Sequence, residues 1–296
     1  MKKLTYYIVD VFAERPFSGN QLAVFRNAAG LSSGEMESLA REMNFSETVF
    51  LQSDQPDPTG AFSARIFTPN VEVPFAGHPV LGTARVIQQF ILQQPVAKVV
   101  LNLKVGPITV TFNDQAGKDG VLAMNQMPPT FGDRFYSSEL SKVLRLPRNE
   151  FEEGFPIQTV STGLPAMIVP LRSEAAVNQC EVDLDHYYTL LNRTKPKSIL
   201  VFGPANPGQE ANLSARVFVH YFGIPEDPAT GSANGCLAAY LSKYRYFGSH
   251  KVRAQVSQGV KMHRPSMLYL EAENVAGDIV VSVGGRAIVV ASGKLL

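Results

Sequence analysis

A five-residue string recurs half a chain apart. "SARIF" at 63–67 returns as "SARVF" at 214–218, and "GHPVLGTA" at 77–84 returns as "GSANGCLA" at 231–238. A weaker echo precedes them, "SGNQLAVF" at 18–25 against "TGLPAMIV" at 162–169. The offsets of 144, 151 and 154 residues keep one order and lie near half of the 296-residue length. Each main pair reads as a strand, an irregular loop and a Gly-initiated apolar helix. Such a chain is predicted to build two similar lobes rather than one undivided core.

Hydrophobic periodicity fills in the plan. Strands are read at 4–12, 21–26, 46–52, 61–67, 97–103, 107–113 and 121–125. "LSSGEMESLAREM" (31–43) is read as a helix, with Ser32 and Glu35 as a capping box. Turn signals fall at Gly106-Pro107 and in "NDQAGKDG" (113–120), and "MPPTFGDRFY" (127–136) is read as the linker between lobes. The second lobe repeats the strands at 157–161, 166–171, 198–203, 214–221, 251–256, 267–272, 278–283 and 286–291. Gly284-Gly285 is read as the turn of the last hairpin. Helices at about 78–92 and 231–244 are apolar most of the way round, which makes them central helices wrapped by sheet. The fold class is therefore α+β with mainly antiparallel sheet. The lobes are read as 1–126 and 127–296, with residues 285–296 able to return to the first lobe's sheet.

Bulk properties remove several functions. A net charge of +1, with no basic stripe and no zinc-finger spacing, gives no reason to invoke nucleic acid. No apolar run approaches the ~20 residues of a membrane span. In "MKKLTYYIVDVF", Asp10 interrupts the apolar residues too early for a secretory signal. Two distant cysteines, Cys180 and Cys236, exclude a disulfide framework and fit a reducing cytoplasm. The five histidines are scattered without ligand spacing, so no metal is expected. No dinucleotide fingerprint, phosphate loop or G-x-S-x-G elbow is present.

Three places remain where chemistry could sit. In "NFSETVFL" (44–51), strand alternation would put Glu47 on one face with Phe45 and Val49, an acid among apolar neighbours. "VPFAGHPVLG" (73–82) sets Gly77 and His78 at a helix start, and "IPEDPATGSANG" (224–235) sets Asp227, Gly231 and Ser232 before a buried helix. Helix starts offer unpaired amides and partial positive charge to carboxylates. Taken singly, Asp227 before Pro228 reads as a cap, His78 as a packed histidine and Glu47 as an edge residue. Their coincidence at repeat-related junctions favours a site. In a pseudo-twofold protein the two helix starts would face each other across an interlobe cleft.

At these residues the sequence resembles the PhzF-like (phenazine biosynthesis) family. "VDVFAERPFSGNQLAVF" (9–25) is similar to its opening motif, with Gln21 in place of the usual proline, and "FSETVFL" resembles its catalytic S-E-T. "RIFTPNVEVPFAGHPVLGTA" (65–84), "EDPATGSANG" (226–235) and "SQGVKMHRPSMLYL" (257–270) complete a resemblance that runs through the whole chain. His263 stands where the family often has glycine.

The resemblance implies the diaminopimelate epimerase-like fold, two pseudo-twofold-related lobes, each a barrel-like sheet around a central helix. Diaminopimelate epimerases and proline racemases use two cysteines as acid and base. Ala76 and Thr230 hold the comparable positions here, which rules out a two-thiol mechanism. The resemblance further implies a homodimer and a cofactor-independent isomerase of a small carboxylate-bearing, dihydro-hydroxyanthranilate-like substrate. Glu47 would be its general acid/base, assisted by His78 and Asp227, with Ser46, Gly77, Gly231 and Ser232 binding substrate. One carboxyl can take and return a proton if apolar neighbours penalise its charged form. Two other functions are compatible with these residues. One is an amino-acid or hydroxy-acid epimerase or racemase using Glu47 and Asp227. The other is a non-catalytic binding or interaction protein on the same scaffold. A thiol enzyme built on Cys236 conflicts with that residue's place inside a buried helix.

Overall fold

The computed structural model describes residues 4–113 and 120–295. The turn read at 113–120 therefore falls almost wholly outside the described residues. The chain divides into two compact units, Met1–Met124 with Gly284–Leu296, and Asn125–Val283.

The first unit runs β1 (Thr5–Val11), β2 (Asn20–Phe25), α1 (Ser33–Met43), β3 (Glu47–Leu51), β4 (Ala61–Phe67), β5 (Glu72–Val73), α2 (Gly77–Val86), β6 (Lys98–Leu103), β7 (Gly106–Asn113) and β8 (Val121–Asn125). The second runs β9 (Thr130–Phe135), α3 (Ser137–Leu144), β10 (Ile157–Ser161), β11 (Pro165–Pro170), α4 (Glu174–Gln179), α5 (Leu184–Asn192), β12 (Ile199–Pro204), β13 (Leu213–Val219), β14 (Ile224–Asp227), α6 (Gly231–Lys243), β15 (Val252–Gln258), β16 (Ser266–Val275) and β17 (Asp278–Gly285). The last strand, β18 (Ala287–Lys294), pairs antiparallel with β1, Thr5 opposite Lys294.

The repeat is visible in the pairings. β2 and β3 are parallel, β3 and β4 antiparallel, and β4 and β6 parallel. β11, β12, β13 and β15 follow the same scheme. Thr48 lies opposite Phe67 as Ile199 lies opposite Phe218, so the registers agree as well. In each unit a central helix fills the sheet: every residue of α2 is buried, and so is nearly all of α6. A helix with no polar face is stable only when wrapped.

Local signals explain the other helices. Ser32 Oγ accepts from Glu35 N at 3.3 Å and Glu35 Oε2 accepts from Ser32 N at 2.7 Å, closing the capping box of α1. Asp183 Oδ1 accepts from His186 N at 3.1 Å and starts α5. The helices α3, α4 and α5, absent from the pattern read in the sequence, cover the second unit's outer face. Leu140, Val143, Tyr187, Leu190 and Leu191 pack there on Ile199, Val201 and Phe218.

Two expectations are corrected. Residues 127–136 are not a bare linker, because β9 pairs with β10 directly after Pro128-Pro129. Prolines close a loop but leave the next residue free to enter a strand. Gly284-Gly285 is not a hairpin turn: only Arg286 separates β17 from β18, and neither glycine has a positive φ. Their lack of side chains serves close approach instead. A Cβ at 285 would lie 2.2 Å from Phe12 Cδ1, and one at 284 would lie 2.9 Å from the Leu122 carbonyl.

Candidate active site

Parallel pairing places Glu47, the first residue of β3, beside Leu22 of β2. Its side chain is 20% exposed, whereas Thr48 to Leu51 are all buried. Ser46, just before the strand, is half-buried, and Gly77 opens α2. His78 follows, buried, and its Nε2 lies 3.6 Å from Glu47 Oε2. Burial pushes His78 down to about 3, against a smaller upward effect of its hydrogen bond to the Gln21 backbone. The imidazole is therefore neutral near pH 7, and the contact is not an ion pair. At 3.6 Å it is a close approach rather than a formed hydrogen bond. The Gln21 bond occupies one ring nitrogen and leaves Nε2 facing the acid.

The supposed face shared by Phe45, Glu47 and Val49 is corrected. The strand begins only at Glu47, and Asn44 turns the chain at φ 53° before it. Phe45 packs with Phe50, Phe25 and Met36 under α1. It sits with the even-numbered side of β3, so alternation did not reach back to it.

The second unit holds the other predicted residues. Asp227 ends β14 and is half-buried, and Thr230 precedes α6. The Thr230 hydroxyl donates to Asp227 Oδ2 at 2.5 Å. Gly231 and Ser232 open α6, and Ser232 is the half-buried residue of an otherwise enclosed first turn. No side chain of the cap residue occupies the first amides of α2 or α6. Both helix starts thus keep donor character toward an anion. Gln258, at the end of β15, joins this corner: its Nε2 donates to the Asp227 carbonyl at 2.7 Å. The sequence reading gave it no role, although it stands inside "SQGVKMHRPSMLYL".

The structure thus joins Glu47 to His78 in one unit, and Asp227 to Thr230 at the start of α6 in the other. Cys236 is fully buried and its Sγ donates to the Leu164 carbonyl at 3.4 Å. Burial raises the Cys236 thiol and raises that of Cys180 to about 12, so neither is a nucleophilic thiolate near pH 7.

This fold is found among isomerising enzymes. A hydroxyproline epimerase from Agrobacterium vitis, solved with bound trans-4-hydroxy-L-proline, superposes with a TM-score of 0.64 at 10% identity, over 100% of this chain and 91% of the other. The class is the diaminopimelate epimerase-like fold of the proline racemases. A phenazine biosynthesis protein of the PhzF family from Bacillus anthracis superposes with a TM-score of 0.91 at 24% identity, over 100% of both chains. The family described as phenazine biosynthesis-like protein matches residues 9–293. The trans-2,3-dihydro-3-hydroxyanthranilate isomerase of Pseudomonas aeruginosa is 34% identical over 291 residues, covering 98% of each chain. The chain belongs to the phenazine biosynthesis-like (PhzF) family, and it is an isomerase.

Proposed function

We propose that the chain isomerises a small, carboxylate-bearing dihydro-hydroxyanthranilate-like substrate without a cofactor, using Glu47 as the proton carrier. The observation that carries this reading is the Glu47 carboxyl, one-fifth exposed, 3.6 Å from a buried and neutral His78. The substrate class comes from the relative's name, trans-2,3-dihydro-3-hydroxyanthranilate isomerase.

Ionised Glu47 takes a proton from one substrate carbon. The C–H electron pair enters the conjugated system, the double bonds shift, and neutral Glu47 returns the proton to a different carbon. The carboxylate is regenerated and nothing is consumed, so no redox partner is needed. A neutral imidazole can accept a hydrogen bond from protonated Glu47, supporting the state between the two transfers. Ser46 and the Gly77 amide bind substrate beside it. Gly231 N–H and Ser232 hold the substrate carboxylate at the start of α6, and Asp227 binds its polar groups or assists the transfer. A homodimer is expected from the family resemblance.

Turnover of trans-2,3-dihydro-3-hydroxyanthranilate by wild type and Glu47→Gln tests the reading. Glu47→Gln keeps the donor–acceptor shape but cannot cycle a proton. A loss of at least ~10³-fold in kcat is expected, with little change in ligand affinity. Activity within a few-fold of wild type would exclude Glu47 as the carrier. A half-buried acid in each unit, Glu47 and Asp227, supports epimerisation as a second reading. Deuterium incorporation at a stereocentre with inversion, in heavy water, separates the two.

A further inference from the structure

Gln258 is fully enclosed beside α6, and its side chain hydrogen-bonds to Asp227, Thr230 and Asn234. Its Oε1 accepts from Asn234 Nδ2 at 2.8 Å and from Thr230 N at 3.4 Å. Its Nε2 donates to the Asp227 carbonyl at 2.7 Å and to Thr230 Oγ1 at 3.3 Å. The Thr230 hydroxyl stands 2.5 Å from Asp227 Oδ2, in the range of a charge-assisted bond. A hydroxyl carries one proton. With Gln258 donating to the Thr230 oxygen, that proton is directed at the Asp227 carboxylate. The adjoining loop is seated tightly: Gly259 has φ +75°, and a Cβ there would meet the Pro228 carbonyl at 2.6 Å.

The hydroxyl is not needed to cap the helix. Thr230 is the N-cap of α6 and its side chain makes no cap hydrogen bond. We infer that Thr230, oriented by Gln258, is a positioning residue that holds the Asp227 carboxylate in one rotamer as a hydrogen-bond acceptor for the isomerisation. This rests on the reading of Asp227 as a site residue. It gives a use to the position at which related folds carry an acid/base thiol, and to a late sequence stretch otherwise without one.

The test compares Thr230→Val, Thr230→Ser and Asp227→Asn, with trans-2,3-dihydro-3-hydroxyanthranilate as the probe and melting temperature as the fold control. Thr230→Val conserves shape, and its kcat is expected to fall about 10- to 100-fold, as for a misplaced reacting group. Thr230→Ser restores the hydroxyl and should stay within ~3-fold of wild type. In the Asp227→Asn background, Thr230→Val should cost less than ~3-fold more, because both act through one group. A folded Thr230→Val with wild-type kcat, or a full additional loss in the Asp227→Asn background, overturns the inference while leaving Asp227 in place. Wild-type activity of Asp227→Asn instead overturns the reading beneath it. Should Thr230→Val fail to fold, Gln258→Met removes the orienting amide, and a 3- to 10-fold fall in kcat is then expected, with wild-type kcat counting against the inference. Independently of any substrate, a crystal structure of Thr230→Val or Gln258→Met should show Asp227 in a changed rotamer. An unmoved carboxylate refutes the role.

Discussion

The two units repeat one joint almost atom for atom, and they differ where chemistry is proposed. In the first, Arg65 Nε and Nη2 grip the two oxygens of Glu72 at 2.9 and 2.8 Å, and its guanidinium lies 5.1 Å from the Phe67 ring. In the second, Arg216 grips Glu226 at 3.0 and 2.8 Å and lies 4.8 Å from Phe218. The paired strings that exposed the repeat are the strands that carry this clasp. Gly19 and Gly163 stand at equivalent places in the paired strings and both have positive φ, at +69° and +130°. The differences fall one residue away. Glu47 precedes Thr48, whereas Ser198 precedes the register-equivalent Ile199. His78 follows Gly77 in α2, whereas Ser232 follows Gly231 in α6. The repeat keeps what holds a unit together, and the residues proposed for chemistry differ on that shared frame.

The sharpest way to break this comparison is to exchange the effect of matched positions. Against the at least ~10³-fold loss expected for Glu47→Gln, Ser198→Ala should keep kcat within about twofold. Equal losses at both positions would mean that Glu47 acts as a structural residue of the strand.

Packing of the central helices gives the next effect. A Cβ at Gly82 would meet Leu22 Cδ2 at 2.5 Å and Val11 Cγ2 at 2.8 Å, whereas α6 accommodates Cys236 at the matching position. Gly82→Ala is expected to destabilise the protein by about 1–3 kcal/mol through overpacking, read from denaturant melts. An unchanged midpoint would show that β1 and β2 yield freely around α2.

The clasps should differ in strength. The Arg216–Glu226 pair is 12% exposed on both sides, whereas Arg65 is 27% exposed and its partner Glu72 also binds Lys104 at 2.7 Å. Removing the more deeply buried Arg216 strands Glu226, which has no second salt bridge to Lys or Arg among the described residues, so Arg216→Met should cost about 2–3 kcal/mol. Arg65→Met should cost about 1 kcal/mol less, since Lys104 remains. The reverse order of urea midpoints would contradict the burial argument.

Acid should reach the first unit in two steps. His78 titrates near 6.5 when unfolded and about 3 when folded, so the stability of its neutral form is complete above about pH 6.5 and is lost as pH falls toward 3. Glu72, held at about 2 first by Arg65 and then by Lys104, contributes fully above its ordinary 4.5 and loses that as pH falls toward 2. Between pH 6.5 and 4.5, melting temperature should therefore fall less steeply in His78→Gln than in wild type. Identical slopes would mean that His78 is not the group responsible.

Much of this was legible before any coordinates. The capping box of α1, the Gly-started helices α2 and α6 and most strand positions follow from local chemistry, because caps, turns and period-two alternation involve neighbours in sequence. The residues proposed for the site were legible as types at repeat-related junctions. Their partners were not. Gln258 is 31 residues from Asp227, a separation over which no local pattern operates. Phe45 was misplaced because alternation was extended back through Ser46, although β3 begins only at Glu47 and Asn44 turns the chain at φ 53° just before Phe45. Gly284-Gly285 was misread because a glycine needed for close approach looks the same in sequence as one needed for a turn.

The amino-acid sequence alone determined that two similar units would form, each around an apolar helix, with His78 at the start of one helix and Asp227 shortly before the start of the other. Only tertiary structure decided that Glu47 and His78 come within 3.6 Å, that burial leaves the imidazole neutral, and that Gln258 closes on Thr230 and Asp227. The reason is physical. Local free energies are set by adjacent residues, whereas desolvation and side-chain partnership depend on what the folded chain brings alongside from far away.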